Sequence, residues 1–357
     1  MSEQKYFLGS ATPEGFITPI GDVLSDTSNM VYILKGTAGS GKSTLMKKIS
    51  EAFSDSPKEL YYCSADPHSL DAVYLIDKRV LIMDGTDPHC FDPKYPKAVQ
   101  SIIDLGAFME SSKLRENKAA IISLTDEYAR YHKRCRLYLT AISSVISDIC
   151  TAASDSIDRE KLSGFISRTA RRLIPKKASK AVRGKISRKQ LSALTFNGYT
   201  TYVPDGYKIY LLSDEFITGS DIFLHEMADT AVKKGYDITV SKCLISKEHY
   251  YEHLLIPELN LAFISSGIAG SVNIPENKKV INFRRFYSKD FLDEKPVLRK
   301  RIKFGKKAAS ELMTEASGTL KAAKEIHDRI EDYYISAADF DSLNRLTYKL
   351  ISEIKSL

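Results

Sequence analysis

The chain has few cysteines and lacks the sequence signals of export or membrane insertion. Its five cysteines are scattered over 357 residues with no C-x-x-C pair, which argues against a disulfide framework and against a cysteine-based zinc site. The first five residues do not have the basic-then-apolar pattern of a signal peptide. No apolar run approaches the ~20 residues that a membrane span needs. These absences predict a cytoplasmic protein with reduced thiols and no membrane span.

The composition is ordinary for a soluble protein, but the positive charge is concentrated in one segment. Hydrophobic residues make up 43% of the chain and charged residues 27%, with a net charge of +7. Between Arg159 and Lys189 there are twelve Lys or Arg and a single acid, Glu160. This segment is either a contact for nucleic acid or another anionic surface, or a solvated helix end followed by a linker. No aromatic RNA-binding signature accompanies it, which favours the linker.

A glycine-rich stretch follows a short apolar segment near the N-terminus. Residues 36–44 read GTAGSGKST, which satisfies the pattern G-x-x-x-x-G-K-[ST] of loops that bind the phosphates of a nucleoside triphosphate. Residues 31–35 predict a buried strand and residues 45–53 a helix. Lys42 would add positive charge at the β- and γ-phosphates, and the Ser43 hydroxyl would hold Mg²⁺. The predicted phosphate-binding residues are Gly36, Thr37, Ala38, Gly39, Ser40, Gly41, Lys42, Ser43 and Thr44.

A second apolar run, residues 80–83, ends at Asp84. On a buried strand beside the loop, this acid would emerge at the carboxyl edge of the sheet, where ligands bind in open α/β sheets. We therefore predict that Asp84 and Ser43 hold Mg²⁺, directly or through water. Asp87 and His89 follow a few residues later. One of them would orient an attacking water or accept a proton from a substrate hydroxyl, or both simply belong to a turn. The predicted catalytic residues are Lys42, Asp84 and Asp87.

Two missing features narrow the class of nucleotide-binding protein. No Glu follows Asp84, so the acid pair of many ATP-hydrolysing motors is absent, and we expect slow intrinsic turnover. The stretch Asn117-Lys118-Ala119-Ala120 lacks the aspartate that reads guanine in GTP-binding switches. ATP is therefore favoured over GTP by elimination. No arginine finger can be assigned from the sequence.

A weak duplication with a period near 180 residues relates the two halves of the chain. Residues 8–16 align with 191–199, residues 31–34 with 209–212, residues 80–85 with 262–267, and the segment from Ile146 with that from Ile330. Four matches in the same order at nearly constant offset indicate a tandem repeat. We predict a first domain over residues 1–182 and a second over residues 183–357.

The second copy has lost the residues that bind phosphate. Gly36 aligns with Asp214, Lys42 with Ser220, Ser43 with Asp221 and Asp84 with Ser266. Two carboxylates would then stand where phosphates sit, and repulsion would oppose nucleotide binding there. We expect one triphosphate site in the chain, in the first half.

The coarse pattern predicts an α/β protein in which each half is a P-loop NTPase-like parallel sheet bearing a long helical hairpin. Each half alternates strands with helices, which favours parallel pairing with helices on the sheet faces. In the first half, a short helix is expected between the strands at residues 60–63 and 79–83. Long helices are predicted near residues 113–153 and 298–335, followed by shorter helices over residues 158–173 and 339–354. Asp155 and Asp339 fall near the predicted N-caps of the shorter helices.

The motifs together resemble a bacterial family of two-repeat P-loop ATPases, found mainly in Gram-positive species. The resemblance is carried by residues 12–16, 32–36, 43–49, 84–89 and 92–96, and it covers the first half better than the second. It implies ATP binding and hydrolysis, but no particular substrate. In that family the second copy commonly keeps its own P-loop, and this chain departs from the pattern there.

Three functions remain open from the sequence. The leading hypothesis is a slow Mg²⁺-dependent ATPase whose inactive half and helical hairpins transmit the nucleotide state to a macromolecular partner, with an oligomer possible. A kinase acting on a small molecule or nucleotide is the first alternative, but no short arginine-rich lid is present. The second alternative is a nucleic-acid-binding protein that uses ATP as a switch and residues 159–189 as its contact.

Overall fold

Short runs of apolar residues build two six-stranded sheets, one in each half of the chain. The computed structural model describes residues 3–177, 182–266, 272, 276, 278–289 and 296–357. Residues 178–181 of the basic segment and Gly267 of the third repeat match lie outside the described residues. The fold is α/β, with a sheet-bearing unit in each half.

The described residues of the first half form eight strands, five α-helices and a 3₁₀ turn. In chain order these are β1 (Glu3–Phe7), β2 (Ser10–Thr12), β3 (Gly15–Ile17), α1 (Gly21–Ser25), β4 (Met30–Lys35), α2 (Lys42–Ala52), β5 (Lys58–Tyr62), β6 (Leu70–Leu75), β7 (Val80–Asp84), β8 (Gln100–Asp104), the 3₁₀ turn Gly106–Phe108, α3 (Ser111–Glu116), α4 (Lys118–Ser154) and α5 (Arg159–Leu173).

The described part of the second half repeats most of this order. It contains β9 (Ile186–Arg188), β10 (Ser192–Thr195), β11 (Gly198–Thr201), β12 (Lys208–Ser213), α6 (Thr218–Lys233), β13 (Ile238–Lys242), β14 (Tyr251–Ile256), the 3₁₀ turn Pro257–Leu259, β15 (Leu261–Ser265), β16 (Lys279–Asn282), the 3₁₀ turn Phe283–Phe286, α7 (Pro296–Ala337) and α8 (Phe340–Ser356).

The two sheets have the same topology. The first has the order β1-β5-β6-β7-β4-β8 and the second β9-β13-β14-β15-β12-β16. In both, the third strand of this order runs antiparallel to its two neighbours, and the other pairs are parallel. The pairing of β5 with β6 has a register shift between Tyr61 and Tyr62, and the equivalent pairing of β13 with β14 has one between Ser241 and Lys242. The predicted repeat therefore corresponds to two sheets of identical order and pairing.

The sheets are mixed, so the prediction of parallel sheets is wrong. The segment expected to form a short helix is β6, which pairs antiparallel with both β5 and β7. Its residues Leu70, Ala72, Val73 and Leu75 are buried on both faces of the strand. A strand buried on both faces has no polar alternation to distinguish it from a buried helix.

The two sheets pack face to face, and the larger helices cover their outer faces, whereas the short α1 packs on the core between the sheets through Val23 and Leu24. Along β4, Val31 and Ile33 point towards Ile209, Ala262 and Ile264 of the second sheet. Because side chains alternate along a strand, Tyr32 and Leu34 point the other way, into a core formed with α2. The expectation that helices cover both sheet faces is therefore wrong, since each inner face is covered by the other sheet.

The outer helical layers are exchanged between the two halves. Helix α8 packs with α2 against the first sheet and contributes Leu343, Leu350 and Ile354 to that core. Conversely, α5 packs with α6 against the second sheet and contributes Leu162 and Ile166. Each half thus completes the hydrophobic core of the other.

The long helices α4 and α7 lie side by side and antiparallel. Leu124 near the start of α4 packs on Ile326 and Ile330 near the end of α7. At the other end, a Cβ on Gly305 of α7 would lie 3.1 Å from Ile149 of α4. At 1.5 Å per residue the two helices are about 55 and 63 Å long.

Helix α4 is also long and apolar enough to cross a membrane by length and composition. It is the one described helix that meets this test, and 39% of its most apolar stretch is buried inside the protein. Part of that burial comes from α7, which packs along it. A core helix of a soluble protein meets the same test.

Candidate functional site: the glycine-rich loop

The glycine-rich loop lies between the end of β4 and the start of α2. Its backbone requires glycine at two positions for different reasons. A Cβ at Gly36 would lie 2.5 Å from Ser40 Oγ, and that hydroxyl donates to the carbonyl of Thr37 at 2.7 Å. Gly41 has a φ of 81° and precedes α2 without a side-chain cap. The loop therefore brings its backbone to the N-terminus of α2, where N–H groups and the helix dipole favour an anion.

Lys42 is the first residue of α2, and its side chain folds back over the loop. Its ammonium donates to the carbonyls of Gly36 at 2.6 Å and Thr37 at 2.8 Å. It also lies 3.6 Å from Asp84 Oδ2, with both side chains largely buried. The structure thus brings together two of the residues predicted from separate motifs.

Asp84 ends β7, the strand paired in parallel with β4. Its Oδ1 accepts hydrogen bonds from Thr86 N at 2.8 Å and Thr86 Oγ1 at 2.5 Å. Burial raises the pKa of this carboxyl, while Lys42 and the two hydrogen bonds from Thr86 oppose that shift. Asp84 therefore stands at the carboxyl edge of the sheet with Oδ2 directed towards the loop.

Ser43 follows Lys42 in the first turn of α2, and Thr44 after it is exposed. The Ser43 hydroxyl accepts a hydrogen bond from the backbone N–H of Leu70 at 3.0 Å, which leaves its own O–H and a lone pair for another partner. A hydroxyl and a carboxylate are oxygen ligands of the kind that Mg²⁺ prefers. The side chains of Ser43 and Asp84 thus fit a Mg²⁺ site chemically.

The residues after Asp84 divide into an exposed acid and a buried histidine. Asp87 is exposed, and its charge acts on His132 of α4, opposing the lowering of that histidine's pKa by burial. His89 is buried, with Nδ1 3.1 Å from Thr18 Oγ1 and Nε2 3.3 Å from Asp71 Oδ2. Both nitrogens of His89 have partners within the fold, so His89 does not serve an attacking water in this arrangement.

Sequence reasoning missed the helices that cover the loop. The Gly39 N–H donates to Glu331 Oε1 of α7 at 3.2 Å, and a Cβ on Gly39 would lie 2.9 Å from the Glu331 carbonyl. Lys324 of α7 is 3.5 Å from Asp66, and Lys48 of α2 donates to Asn344 of α8 at 2.6 Å. The repeat pattern predicts these helices, but no sequence signal assigns them to the loop of the opposite half.

The corresponding loop of the second half is filled by its own carboxylate. Asp214 is 2% exposed, and it accepts hydrogen bonds from the N–H groups of Phe216 at 3.1 Å and Ser220 at 2.7 Å. The Tyr287 hydroxyl donates to the same carboxylate and accepts from Gly219 N at 3.0 Å. The Asp221 carboxylate instead accepts from Tyr251 N at 2.8 Å. A side chain thus takes the position predicted for an anion in this loop.

The basic segment is only partly free for an external partner. Lys177 bonds to the Gly235 carbonyl and to Glu258, and Lys189 pairs with Glu59. In contrast, Arg168, Arg171 and Arg172 of α5 are exposed. The exposed basic residues in the described part of this segment lie both on α5 and after it, at Lys176, Arg183, Lys185 and Arg188.

In comparisons with known proteins, no family model, curated protein or solved structure matches the chain.

Proposed function

We propose that the chain is a cytoplasmic, Mg²⁺-dependent ATP-binding protein that hydrolyses ATP slowly and couples its nucleotide state to a partner. The observation that carries the proposal is the arrangement around Lys42. This lysine begins the helix that follows a glycine-rich loop, and its ammonium lies 3.6 Å from a carboxylate on the neighbouring parallel strand. A strand, a phosphate-binding loop, a helix and an adjacent acid are the parts that P-loop enzymes use.

Each residue of the loop has a role in this proposal. The backbone N–H groups of residues 37–44 would surround the phosphates at the N-terminus of α2. Lys42 would exchange the carbonyls of Gly36 and Thr37 for phosphate oxygens. Ser43 and Asp84 would hold Mg²⁺, which neutralises the charge of the β- and γ-phosphates when bound. Asp87 would orient an attacking water or accept a proton from a substrate hydroxyl.

The resemblance to two-repeat P-loop ATPases supports ATP as the nucleotide, and the absence of an acid after Asp84 supports slow turnover. The partner would engage the long helices, because α4 and α7 run from the loop to the outer core of the second sheet. The filled loop of the second half favours one nucleotide per chain.

The direct test is phosphate release from Mg²⁺-ATP without added substrate, comparing the wild type with Lys42→Ala. Release that the substitution abolishes supports an ATPase. ATP binding without release in the wild type would favour a kinase that lacks its acceptor, or a nucleotide switch. Absence of ATP binding both in the wild type and in variants of the residues that cover the loop would refute the proposal.

A nucleic-acid contact is a second candidate, favoured by the exposed arginines of α5. Its expected signature is affinity that falls steeply with salt, because basic residues displace counterions from phosphates. Replacing Arg168, Arg171 and Arg172 with glutamine should weaken binding to duplex or single-stranded oligonucleotides and reduce its salt dependence. Affinity and salt dependence that are unchanged by this triple substitution would assign the arginines to solvation only.

A further inference from the structure

The carboxylate of Glu331 lies against the backbone that the proposed function assigns to phosphate. Its Oε1 accepts the hydrogen bond of Gly39 N at 3.2 Å, and its backbone approaches the loop so closely that a Cβ on Gly39 would lie 2.9 Å from its carbonyl oxygen. Tyr334 and Ile335, one turn farther along α7, also contact this glycine position. A triphosphate that entered the loop would have to compete with this carboxylate for the N–H group of Gly39.

The ammonium of Lys42 is also engaged by groups of the protein itself. Lys42 donates to carbonyls of its own loop, at 2.6 and 2.8 Å, and faces Asp84 rather than solvent. Contacts of α7 and α8 hold the covering hairpin in place, through Lys324 with Asp66 and Lys48 with Asn344. The loop is therefore closed by the C-terminal hairpin of the opposite half.

The two halves use a carboxylate in the same way but differ in where it comes from. In the second half, Asp214 belongs to the loop itself and is 2% exposed, so its contact is buried within the fold. In the first half, Glu331 is carried by a separate helix, and about a third of its side chain is exposed. A carboxylate on a separate helix can leave the loop when the helix moves.

Helix α7 extends from this contact to the filled loop of its own half. Near its start, Lys306 pairs with Glu215, which lies in that loop next to Asp214, and Gly305 packs on α4. A displacement of α7 at Glu331 would therefore act on packing that extends along α4 to the other sheet. This connection supplies a physical route from the nucleotide loop to a distant surface.

We propose that Glu331 is an internal competitor of the nucleotide phosphates: it closes the loop in the free protein, and ATP must displace it together with the end of α7. This inference rests on the proposed ATP site and adds its regulation. The apparent affinity for a ligand falls with the fraction of molecules in the open state. Removing the competing carboxylate should therefore increase ATP affinity, which is the opposite of the usual effect of a substitution in a binding site.

The test measures the dissociation constant for Mg²⁺-ATP by calorimetry for the wild type, Glu331→Gln and Glu331→Ala. Glu331→Gln keeps the side-chain shape and removes the charge, so it should tighten binding, and Glu331→Ala should tighten it further. We expect a gain of roughly three- to tenfold, because a hydrogen bond to a partly exposed charge is modest. In the wild type, hydrogen exchange of residues 326–337 should rise when ATP is added.

The matched control is Asp332→Asn, which makes the same charge change on the next, exposed residue of α7 and should leave ATP affinity unchanged. If the wild type binds ATP, Lys42→Ala does not, and both Glu331 variants bind no more tightly than the wild type, Glu331 is not a competitor, although the ATP site stands. If neither the wild type nor Glu331→Ala binds ATP, both proposals fail. Binding by Glu331→Ala alone would support closure of the loop by Glu331.

Discussion

Asp84 and Asp104 end the two strands that flank β4, and only one of them faces the loop. Asp84 lies 3.6 Å from Lys42, whereas the Asp104 carboxylate accepts a hydrogen bond from Gly106 N at 2.8 Å. Substituting Asp84→Asn should reduce ATP turnover about 10- to 100-fold and raise the Mg²⁺ concentration needed for half-maximal rate. Asp104→Asn should leave both quantities near the wild-type values. Steady-state turnover titrated with Mg²⁺ measures the difference, and equal loss in the two variants would remove Asp84 from the metal site.

Glu252 is a buried acid of β14, far from the loop in sequence and without a role in the proposed chemistry. Tyr199 OH donates to its carboxylate at 2.8 and 2.9 Å, and Nε2 of neighbouring His253 lies 3.6 Å from it. Burial raises the pKa of Glu252 to about 7. Burial also lowers the pKa of His253 to about 3, so this histidine is neutral in the folded protein at neutral pH.

These pKa directions predict a pH dependence of stability that one substitution should remove. Because the pKa of Glu252 is higher in the folded than in the unfolded chain, its stabilising contribution is present below the unfolded pKa of about 4.3 and is lost as pH rises through about 7. From pH 5 to pH 8, the free energy of unfolding of Glu252→Gln relative to wild type should rise by about 2 kcal/mol. Urea unfolding at both pH values tests this. As a control, Glu325→Gln at an exposed position should not change the pH dependence of stability. If the free energy of unfolding of Glu252→Gln differs from that of the wild type by the same amount at both pH values, the raised pKa of Glu252 is contradicted.

At the scale of elements, the sequence predicts those whose signals are local. Helix α2 and the long helices are found within a few residues of their predicted bounds because glycine, capping and apolar period act over one or two turns. The strand β6 is missed because its apolar residues are buried on both faces, and its antiparallel partners are set by tertiary packing. Asp84 lies beside Lys42 of the loop, as its position at the end of an apolar run predicts. The contact of Glu331 with Gly39 could not be predicted, because α7 belongs to the opposite half of the chain.

The sequence and the structure assign different residues to the N-terminus of α5, and two substitutions distinguish them. The predicted N-cap of α5 near Asp155 is wrong: Asp155 follows the C-terminus of α4, and Asp158 caps α5 by accepting from Lys161 N at 2.9 Å. Asp158→Ala should lower the free energy of unfolding by about 1 kcal/mol. Asp155→Ala should have no effect or stabilise slightly, since it removes a negative charge from a helix C-terminus. Equal destabilisation by both substitutions in chemical denaturation would refute this assignment.

At the scale of the whole molecule, the repeat in the sequence does not give two independent cores. The inner face of each sheet is covered by the other sheet, and its outer face is partly covered by a helix from the other half, α8 on the first sheet and α5 on the second. Sequence periodicity gives the number of copies, but it cannot show which copy covers which face, because both copies present similar apolar stripes. The same arrangement brings α7 of the second half onto the glycine-rich loop of the first half, whose sequence has the complete phosphate-binding pattern.

This exchange predicts that neither half folds alone. Expressed separately, residues 1–182 and residues 183–357 would each expose an apolar sheet face and lack part of one core, and a loss of that size exceeds the marginal stability of a domain. Each fragment should therefore aggregate or give no cooperative thermal transition, whereas co-expression of the two should yield a soluble complex with a single transition. Circular dichroism and light scattering distinguish these outcomes. A monomeric fragment 1–182 that unfolds cooperatively would mean that the helices of the second half are accessory to the first sheet, and that closure of the loop by α7 contributes little to its stability.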